Sequence, residues 1–381
     1  MTAQAEPSHG SAGGQHCDGT VARTEVYKLR AVTRWIAPSA RERDCGVLCV
    51  EHVEDHPTIE VRRDGGIARA SWRGLLTCGH IWTCPVCSQN LRAERAERIV
   101  RAVEFMGGRW QMLTITLRHR QGLSLKELIA GLMRAWRRTR QGGRIQRVWS
   151  DRVSASIRAQ EVTYGDNGWH PHVHVLLRTS EWDEDERDAL QLRWERAVER
   201  ELGAQCKPDD LHGLVWSRPF VPGEATSGRQ VSYLAKLGLE IAGIAKEGRG
   251  GSRTPWELAR AAAGGDSRAL WLWREYCAAT KGRRMLELDD RAQTAAKRAL
   301  EVASVNVKEG ETLEPPQRIE VKRDDVRALR QLERRIGAIM CVVLRAAEEQ
   351  GASGVREWVA FARADQVRRA ELRERALRLA G

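Results

Sequence analysis

The sequence predicts an α+β fold in which helices flank an antiparallel sheet. Alternating apolar residues indicate strands over 110–119 and on both sides of a Gly-Asp-Asn-Gly turn at 165–168. Segments with helical spacing lie between and after these strands, without the regular strand–helix–strand rhythm of a parallel sheet. A chain of 381 residues is long enough to bury one large core or two moderate ones.

The chain divides into four predicted parts. These are a disordered tail over 1–22, a cysteine-bearing module with a linking helix over 23–108, a central α+β domain over 109–290 and a C-terminal helical region over 291–381. Helices are predicted over 89–105, 183–202, 231–243, 255–265 and 268–280. A further helix begins after Ser124, which forms a capping box with Glu127.

Charge and hydropathy narrow the class of partner. The formal net charge of +12 favours a polyanion such as nucleic acid, because each phosphate that is neutralised releases counterions. No apolar run approaches the length that crosses a bilayer, and the N-terminal segment lacks the apolar core of a signal peptide. We therefore expect a cytoplasmic protein with no membrane partner.

The cysteines indicate a metal. Nine cysteines in a chain expected to be cytoplasmic argue against disulfides, and those that cluster favour zinc. Cys78, Cys84 and Cys87 lie in the segment CGHIWTCPVC, and a tetrahedral zinc needs one more ligand. We predict Cys45 for that place, with Cys49 and His80 as alternatives. A redox pair at Cys84 and Cys87 is the competing interpretation.

The segment GWHPHVHVLLR places histidines at every second position. In a strand, His170, His172 and His174 face one side while Val173 and Val175 face the other. Neighbouring residues of one face are about 6.6 Å apart, so two of these imidazoles can meet at one metal but three cannot easily do so. A further ligand is expected from the adjacent strand.

The geometry of the turn indicates which residue of the adjacent strand is that ligand. A hairpin symmetric about Asp166 and Asn167 places Glu161 opposite His172 on the same face. Glu161, His172 and His174 then form a mixed nitrogen and oxygen site with open positions, which suits Mg²⁺ or Mn²⁺ in phosphate chemistry. Pro171 lacks a backbone donor and predicts that this strand is an edge or is bulged there. Packed or solvent-facing histidines are the structural alternative.

A second candidate group lies on the helix that contains SYLAKLGLE. Tyr233, Lys236 and Glu240 fall along one side of it. A phenol beside an ammonium group is a plausible nucleophile, since Lys236 can favour the phenolate or neutralise a phosphate. A tyrosine on a helix is more often part of a core.

Together these segments resemble the plasmid rolling-circle replication initiators of the HUH endonuclease superfamily, in their single-tyrosine, actinobacterial-type branch. MLTITLRH is similar to the first strand motif, WHPHVHVLL to the metal motif and SYLAK to the tyrosine motif. CGHIWTCPVC resembles an upstream zinc element, and WREYCAATKGRRML a later segment. The resemblance covers about residues 45–290 and leaves both ends without a family assignment.

The resemblance implies a fold and a reaction. The fold would be a five-stranded antiparallel sheet, ferredoxin-like or RNA-recognition-motif-like, with the histidine strand at its centre. Tyr233 would attack a phosphodiester at the plasmid origin, forming a 5′-phosphotyrosine and freeing a 3′-OH primer, and Mg²⁺ or Mn²⁺ would orient the phosphate. The implied partners are origin DNA and host helicase and polymerase. The residues expected to contact DNA are Arg118, His119, Trp169 and His170.

The sequence leaves two candidates for the residue that ends the round of replication. In similar single-tyrosine proteins a carboxylate four residues before the tyrosine activates water, but that position is Arg229 here. Glu240 is our prediction and Glu224 the alternative. A surface glutamate without a catalytic role is the competing interpretation.

Three other functions also fit parts of the sequence. HPHVHVLL also fits the His-x-His-x-His motif of nucleotide hydrolases, in which His172 would attack without a metal. A non-catalytic zinc-containing DNA-binding protein would explain the cysteines and the charge but not the histidine strand. Transposases and relaxases share the first chemical step and differ in substrate and cellular role.

Overall fold

The computed structural model describes residues 19–49, 56–64, 67–117, 122–203, 213–222, 248, 251–310 and 315–380. Within these ranges the chain is α+β, with two antiparallel sheets flanked by helices. None of the helices in the described ranges is long and apolar enough to span a bilayer.

The elements follow in chain order. The helices are α1 (Gly19–Thr33), a 3₁₀ turn (Arg34–Ile36), α2 (Ala40–Arg43), α3 (Pro85–Met106), α4 (Leu125–Arg140), α5 (Gly143–Arg152), α6 (Glu184–Leu202), α7 (Pro255–Ala263), α8 (Ser267–Thr280), α9 (Asp290–Gly310), α10 (Arg323–Ile336), α11 (Ile339–Gln350) and α12 (Ala352–Ala380). The strands are β1 (Thr58–Asp64), β2 (Ile67–Arg73), β3 (Trp110–Ile115), β4 (Val153–Gly165), β5 (Gly168–Thr179), β6 (Leu214–Trp216), β7 (Leu286–Leu288) and β8 (Gln317–Glu320).

The larger sheet has five strands in the order β6-β3-β5-β4-β7, and every pair is antiparallel. Strand β5, which carries the histidines, lies at its centre. Strands β4 and β5 form a long hairpin that closes at Gly165 and Gly168, and Gly168 has a φ of 91°. A side chain with a Cβ rarely adopts that value, which explains glycine at this corner. Glu161 pairs with His172, as the symmetric turn predicts.

Pro171 occupies the part of β5 that β3 does not reach. It pairs with Val162 on β4, whereas the last pair between β3 and β5 is Ile115 with Val173. Strand β5 is therefore central over 173–178, and among the described residues no β3 residue is paired with Pro171. The missing N–H of Pro171 removes no bond to β3, and the register of the hairpin is continuous there.

The two faces of the five-stranded sheet are covered differently. One face buries Leu113, Ile115, Val173 and Val175 in the main core, against the apolar sides of α4 and α6. The expected capping box of Ser124 and Glu127 is present at the start of α4. The opposite face carries the histidines. Helix α3 covers one end of it, where Ile99 and Val103 pack on Ala155, Ile157 and Leu176.

The smaller sheet joins distant parts of the chain. Its order is β2-β1-β8, so Ile59 of β1 pairs with Trp72 on one side and Ile319 on the other. Helices α10, α11 and α12 contribute most of the remaining core of this unit. The region after residue 291 was predicted to be helical, and strand β8 corrects that. Four residues with mixed charge and apolar character carry too weak an alternation to be recognised alone.

Candidate metal centres

Glu161, His172 and His174 meet on the histidine face of the five-stranded sheet. Each offers one ligand atom, and the three atoms lie within 4.8 Å of one another. Oε2 of Glu161 is 2.8 Å from Nε2 of His172 and 3.7 Å from Nε2 of His174. The hairpin register brings the carboxylate opposite His172, and the strand repeat of two places His174 on the same face. This group can hold a metal.

The surrounding strands fix the two imidazoles. Thr114 of β3 pairs with His174, and its hydroxyl is hydrogen-bonded to Nδ1 of that ring at 3.0 Å. A partner on one ring nitrogen sets the orientation and tautomer of the imidazole, which leaves Nε2 to act as a ligand. Nδ1 of His172 is buried and has no hydrogen-bond partner within the described part of the chain.

The group of Glu161, His172 and His174, here called the Glu161 cluster, is largely buried but still reaches solvent. The side chains of Glu161, His172 and His174 retain 16%, 14% and 10% of their exposure. Among the described residues the cluster offers three protein donors, so a bound divalent cation would keep coordination positions for other ligands. An open coordination sphere is typical of a metal that binds a substrate.

Arg92 of α3 is a neighbour that the sequence analysis did not identify. It follows Ser88 and precedes Ile99 and Val103 at helical spacing, on the side of α3 that packs toward the sheet. Arg92 and Glu161 line one small cavity of about 30 Å³ together with Tyr276. Burial lowers the pKa of the Arg92 guanidinium to about 10, and the charges of Tyr276 and Glu161 act in the opposite direction. A buried cation thus lies behind the carboxylate.

The second cluster consists of four cysteines. Cys45, Cys78, Cys84 and Cys87 are all buried, and their sulfur atoms lie within 4.8 Å of one another. Sγ of Cys87 is 3.4 Å from that of Cys45 and 3.6 Å from that of Cys78. Hydrogen bonds from Cys45 and the other thiols hold the pKa of Cys87 well below that of a free thiol. Four converging sulfur donors can hold a metal and leave no position for a further ligand.

Local backbone structure positions the four sulfurs. Cys84 precedes α3 and Pro85 starts it, which suits proline because the first helical N–H needs no partner. Cys45 comes from a separate segment, where Arg30 donates from Nε to its carbonyl oxygen at 2.7 Å. The amide of Cys78 lies 3.4 Å from Sγ of Cys45. Amide donors stabilise thiolate ligands in such sites.

The two alternatives for the fourth zinc ligand lie elsewhere. Nδ1 of His80 is 2.9 Å from a carboxylate oxygen of Glu42, and the His80 side chain is 49% exposed. Cys49 is half-buried and forms an isolated bridge with Leu75. The geometry therefore brings together the set with Cys45.

An aromatic chain runs between the two clusters. Trp82, in the loop that carries the cysteines, makes an edge contact with Tyr276, and Tyr276 stacks on Trp169 of β5. Nε1 of Trp169 donates to Glu275 at 2.8 Å, and that carboxylate also accepts from the amide of Leu125. The cysteine segment, β5 and α4 are thus fixed to one helix, α8.

These contacts correct one predicted DNA contact. Trp169 is only 3% exposed, because its ring fills the core beside Tyr276 and its indole N–H is already paired. It cannot stack on a base in this conformation. His170 lies at the surface end of the histidine row, with its ring centre 5.6 Å from that of His172.

Several predicted site residues lie outside the described part of the chain. The described residues end at 117 and resume at 122, and they are interrupted again over 223–247. The predicted residues in those gaps are Arg118, His119, Tyr233, Lys236 and Glu240, together with the alternative Glu224. They remain predictions from the sequence.

Comparison with known proteins shows a similarity to replication proteins over the segment that holds the Glu161 cluster and three of the four clustered cysteines. A family model described as a replication protein matches residues 75–196, a range that contains Cys78, Cys84, Cys87 and the whole Glu161 cluster. The chain is 31% identical over 285 residues to "Protein rep" of Streptomyces lividans, covering 56% of this chain and 62% of that protein. It is 36% identical over 152 residues to a "Neomycin resistance protein" of Streptomyces cyanogenus, covering 32% and 34%.

Residues 75–196 are thus similar to replication proteins, and the described chain has two groups that can hold a metal. The family model and the relative from Streptomyces lividans show that this chain is similar to replication (Rep) proteins. It spans less than two thirds of the length of both curated relatives that it matches. No solved structure gives a significant match.

Proposed function

We propose that this protein is a rolling-circle replication initiator of the HUH superfamily that nicks one strand of plasmid origin DNA. The observation that carries the proposal is the Glu161 cluster, which lies on one face of an antiparallel sheet inside the segment that matches replication proteins. A non-catalytic DNA-binding protein has no need of two imidazoles and a carboxylate converging within 4.8 Å.

The donors at the Glu161 cluster fit Mg²⁺ or Mn²⁺. One carboxylate oxygen and two imidazole nitrogens form a mixed set that suits Mn²⁺ well and Mg²⁺ with the help of water and phosphate oxygens. When bound, such an ion supplies a Lewis acid that polarises the scissile phosphate. Glu161, His172 and His174 would hold it, and Thr114 and Arg92 would keep two of these ligands in place.

The chemical step we propose is a transesterification. The phenolic oxygen of Tyr233 attacks the phosphorus, a new bond forms between them, and the bond from phosphorus to the 3′ oxygen breaks. The phenol proton leaves and the 3′ oxygen gains one, so the products are a 5′-phosphotyrosine and a free 3′-OH. Lys236 would favour the phenolate, and Glu240 would activate the nucleophile that ends the round. Because this nicking step exchanges one phosphodiester for another and loses none to water, the strand can be rejoined.

For the cysteine cluster we propose a structural Zn²⁺. Its four sulfur donors are sealed from solvent, with side chains buried in the same core as the apolar residues of α4 and β5. Its function would be to fix the start of α3 and the loop that carries Trp82. The predicted division into a zinc module, a nuclease domain and a C-terminal region stays part of this proposal.

A DNA strand would approach the Glu161 cluster from the end of β5 that carries His170. Among the described residues, no strand is paired with β5 on its β3 side at Pro171, which lies between His170 and His172 in the sequence. A single strand could approach the Glu161 cluster there without disturbing the sheet. We propose origin DNA as the substrate, cytoplasmic localisation, and a host helicase and polymerase as later partners.

Covalent adduct formation tests the proposal. The full chain is incubated with single-stranded origin DNA and Mn²⁺, and the products are separated on a denaturing gel. We expect a protein–DNA adduct that EDTA abolishes and that Tyr233→Phe lacks. Tyr164→Phe is the matched control, because it removes a phenol on the β4–β5 hairpin outside the proposed machinery, and it should form the adduct.

The same experiment separates the alternatives. Nucleotide hydrolysis that resists EDTA and survives Tyr233→Phe would replace the nickase by a hydrolase that uses His172. DNA binding without any nicking would leave a zinc-containing DNA-binding protein. A transposase or relaxase would form the adduct on its own recognition sequence and not on the plasmid origin.

A further inference from the structure

The last helix of the described chain, α12, has two halves of different character. Its first half is packed, with Val355 at 3% and Ala362 at 1% exposure, and ion pairs join Arg363 to Asp325 and Asp365 to Arg335. From 366 to 378 every residue is exposed. The fifteen residues 366–380, here called the projecting helix, extend about 22 Å beyond Asp365, which is half-buried.

The projecting helix is strongly basic. It has five arginines against two glutamates, an excess of three positive charges. Two of its arginines lie in pairs with an acid four residues earlier, Arg369 with Asp365 at 3.4 Å and Arg378 with Glu374 at 2.7 Å. Within the described part of the chain, Arg373 and Arg375 form no ion pair. Most of the charge therefore faces solvent.

The arginines form two rows along the helix. At 3.6 residues per turn, Arg368 and Arg375 fall on one side of Leu372, and Arg369 and Arg373 fall on the other. Leu372 itself is 56% exposed between the two rows. The face is thus a short apolar strip with a positive border on each side.

We propose that the projecting helix binds duplex DNA, with this face in the major groove. An α-helix with its side chains is about 10–12 Å across and the groove about 12 Å wide, so the helix fits between the two phosphate walls. The two arginine rows would each meet one wall, and Leu372 would face the base edges. The inference deepens the proposed function, because it takes DNA as the polyanion.

Charge also argues against a second copy as the occupant. Two projecting helices that packed through Leu372 would bring arginine rows against arginine rows, and like charges at such positions destabilise helix pairs. Phosphates on both sides of a groove complement the two rows, and the net charge of +12 favours the same class of partner.

The test compares two triple variants of the full chain. The first is Arg368→Gln with Arg373→Gln and Arg375→Gln, since glutamine keeps good helix propensity. The control removes the same charge elsewhere, by Arg62→Gln, Arg318→Gln and Arg327→Gln, whose side chains are 68%, 71% and 70% exposed. Circular dichroism establishes that both variants are folded.

Duplex affinity is measured by fluorescence anisotropy over a range of salt concentrations. Losing three phosphate contacts lowers the slope of log K against log salt by about 2.7. Between about 50 and 200 mM salt the wild type should therefore lose about 40-fold more affinity than the first variant does. The control variant should keep a slope close to the wild type.

Equal slopes for the wild type and the first variant would overturn the proposal, as would equal losses in both variants. A changed sedimentation coefficient with unchanged DNA affinity would overturn it in favour of a second copy. Adduct formation on a short single strand is measured separately, and the first variant should retain it. If the wild type forms no adduct, the nicking proposal fails, while the salt comparison still decides the role of the projecting helix.

Discussion

The two clusters of potential metal ligands differ in donor chemistry and in access. The cysteine cluster has four buried sulfur donors drawn from two segments and completed by the first turn of α3. The Glu161 cluster has three donors on adjacent strands, and two of them are only half-buried. Four closed donors suit a structural metal, whereas three donors with vacant positions suit a metal that meets a substrate. The difference predicts that damage to one cluster affects folding and damage to the other affects chemistry.

Replacing Cys84 and Cys87 by serine should have the largest effect. Structural zinc sites contribute on the order of 10 kcal/mol of apparent binding energy, so their loss unfolds the segment that depends on them. We expect loss of bound zinc and of cooperative thermal unfolding, measured by metal analysis and calorimetry. Cys49→Ser is the matched control and should keep the metal. A variant that lost zinc but unfolded like the wild type would show that the metal at the cysteine cluster does not stabilise the fold.

His172→Ala should abolish activity and spare the fold. The variant removes one of three donors, and we expect at least a 100-fold loss of adduct formation, since a metal-assisted step contributes several kcal/mol. The thermal unfolding midpoint and DNA affinity should change little, because the ring contacts Glu161, His170 and His174 on the histidine face, whereas the main core lies on the other face of the sheet. His170→Ala, on the same face but outside the cluster, should have a smaller effect on the adduct. Global unfolding of His172→Ala would assign the Glu161 cluster a structural role.

Thr114→Val should weaken metal binding at the Glu161 cluster without removing a metal ligand. It deletes the hydroxyl that is hydrogen-bonded to Nδ1 of His174 and keeps the size of the side chain. Loss of such a supporting contact lowers metal affinity by about 10–100-fold. The Mn²⁺ affinity is measured by titration followed by electron paramagnetic resonance. Thr116→Val is the control, because it removes another threonine hydroxyl just after β3. Unchanged affinity would mean that other contacts orient the ring.

Trp169→Phe should have the smallest effect. It keeps the ring contact with Tyr276 and removes the indole N–H that donates to Glu275. The free energy of unfolding should fall by about 1–2 kcal/mol, measured by chemical denaturation. DNA affinity should not change, because the side chain is buried. A large drop in DNA affinity with little loss of stability would restore Trp169 as a DNA contact.

The parts of the fold that the sequence predicts are those with local signals. A two-residue turn between alternating segments defines the register that pairs Glu161 with His172, and cysteine spacing selects Cys78, Cys84 and Cys87. Cys45 could be ranked above its alternatives but not fixed, because its position depends on tertiary packing. The sequence did not identify Arg92, because a buried arginine in a highly charged helix cannot be distinguished by sequence from a solvent-exposed one. The pairing of β8 with β1 joins segments more than 250 residues apart, and no local pattern encodes it.

That pairing has a consequence for synthesis. The hairpin of β1 and β2 leaves the ribosome early, yet its second neighbour β8 and the helices that cover it emerge only after residue 316. Until then the unbonded edge of β1 and the apolar side chains of Ile59 and Val61 lack their final partners. The three-stranded sheet therefore begins with the first strands to be synthesised and is completed by the last one. A ribosome that stalls before residue 317 leaves a nascent chain in which the edge of β1 is unpaired, and such an edge is prone to aggregate.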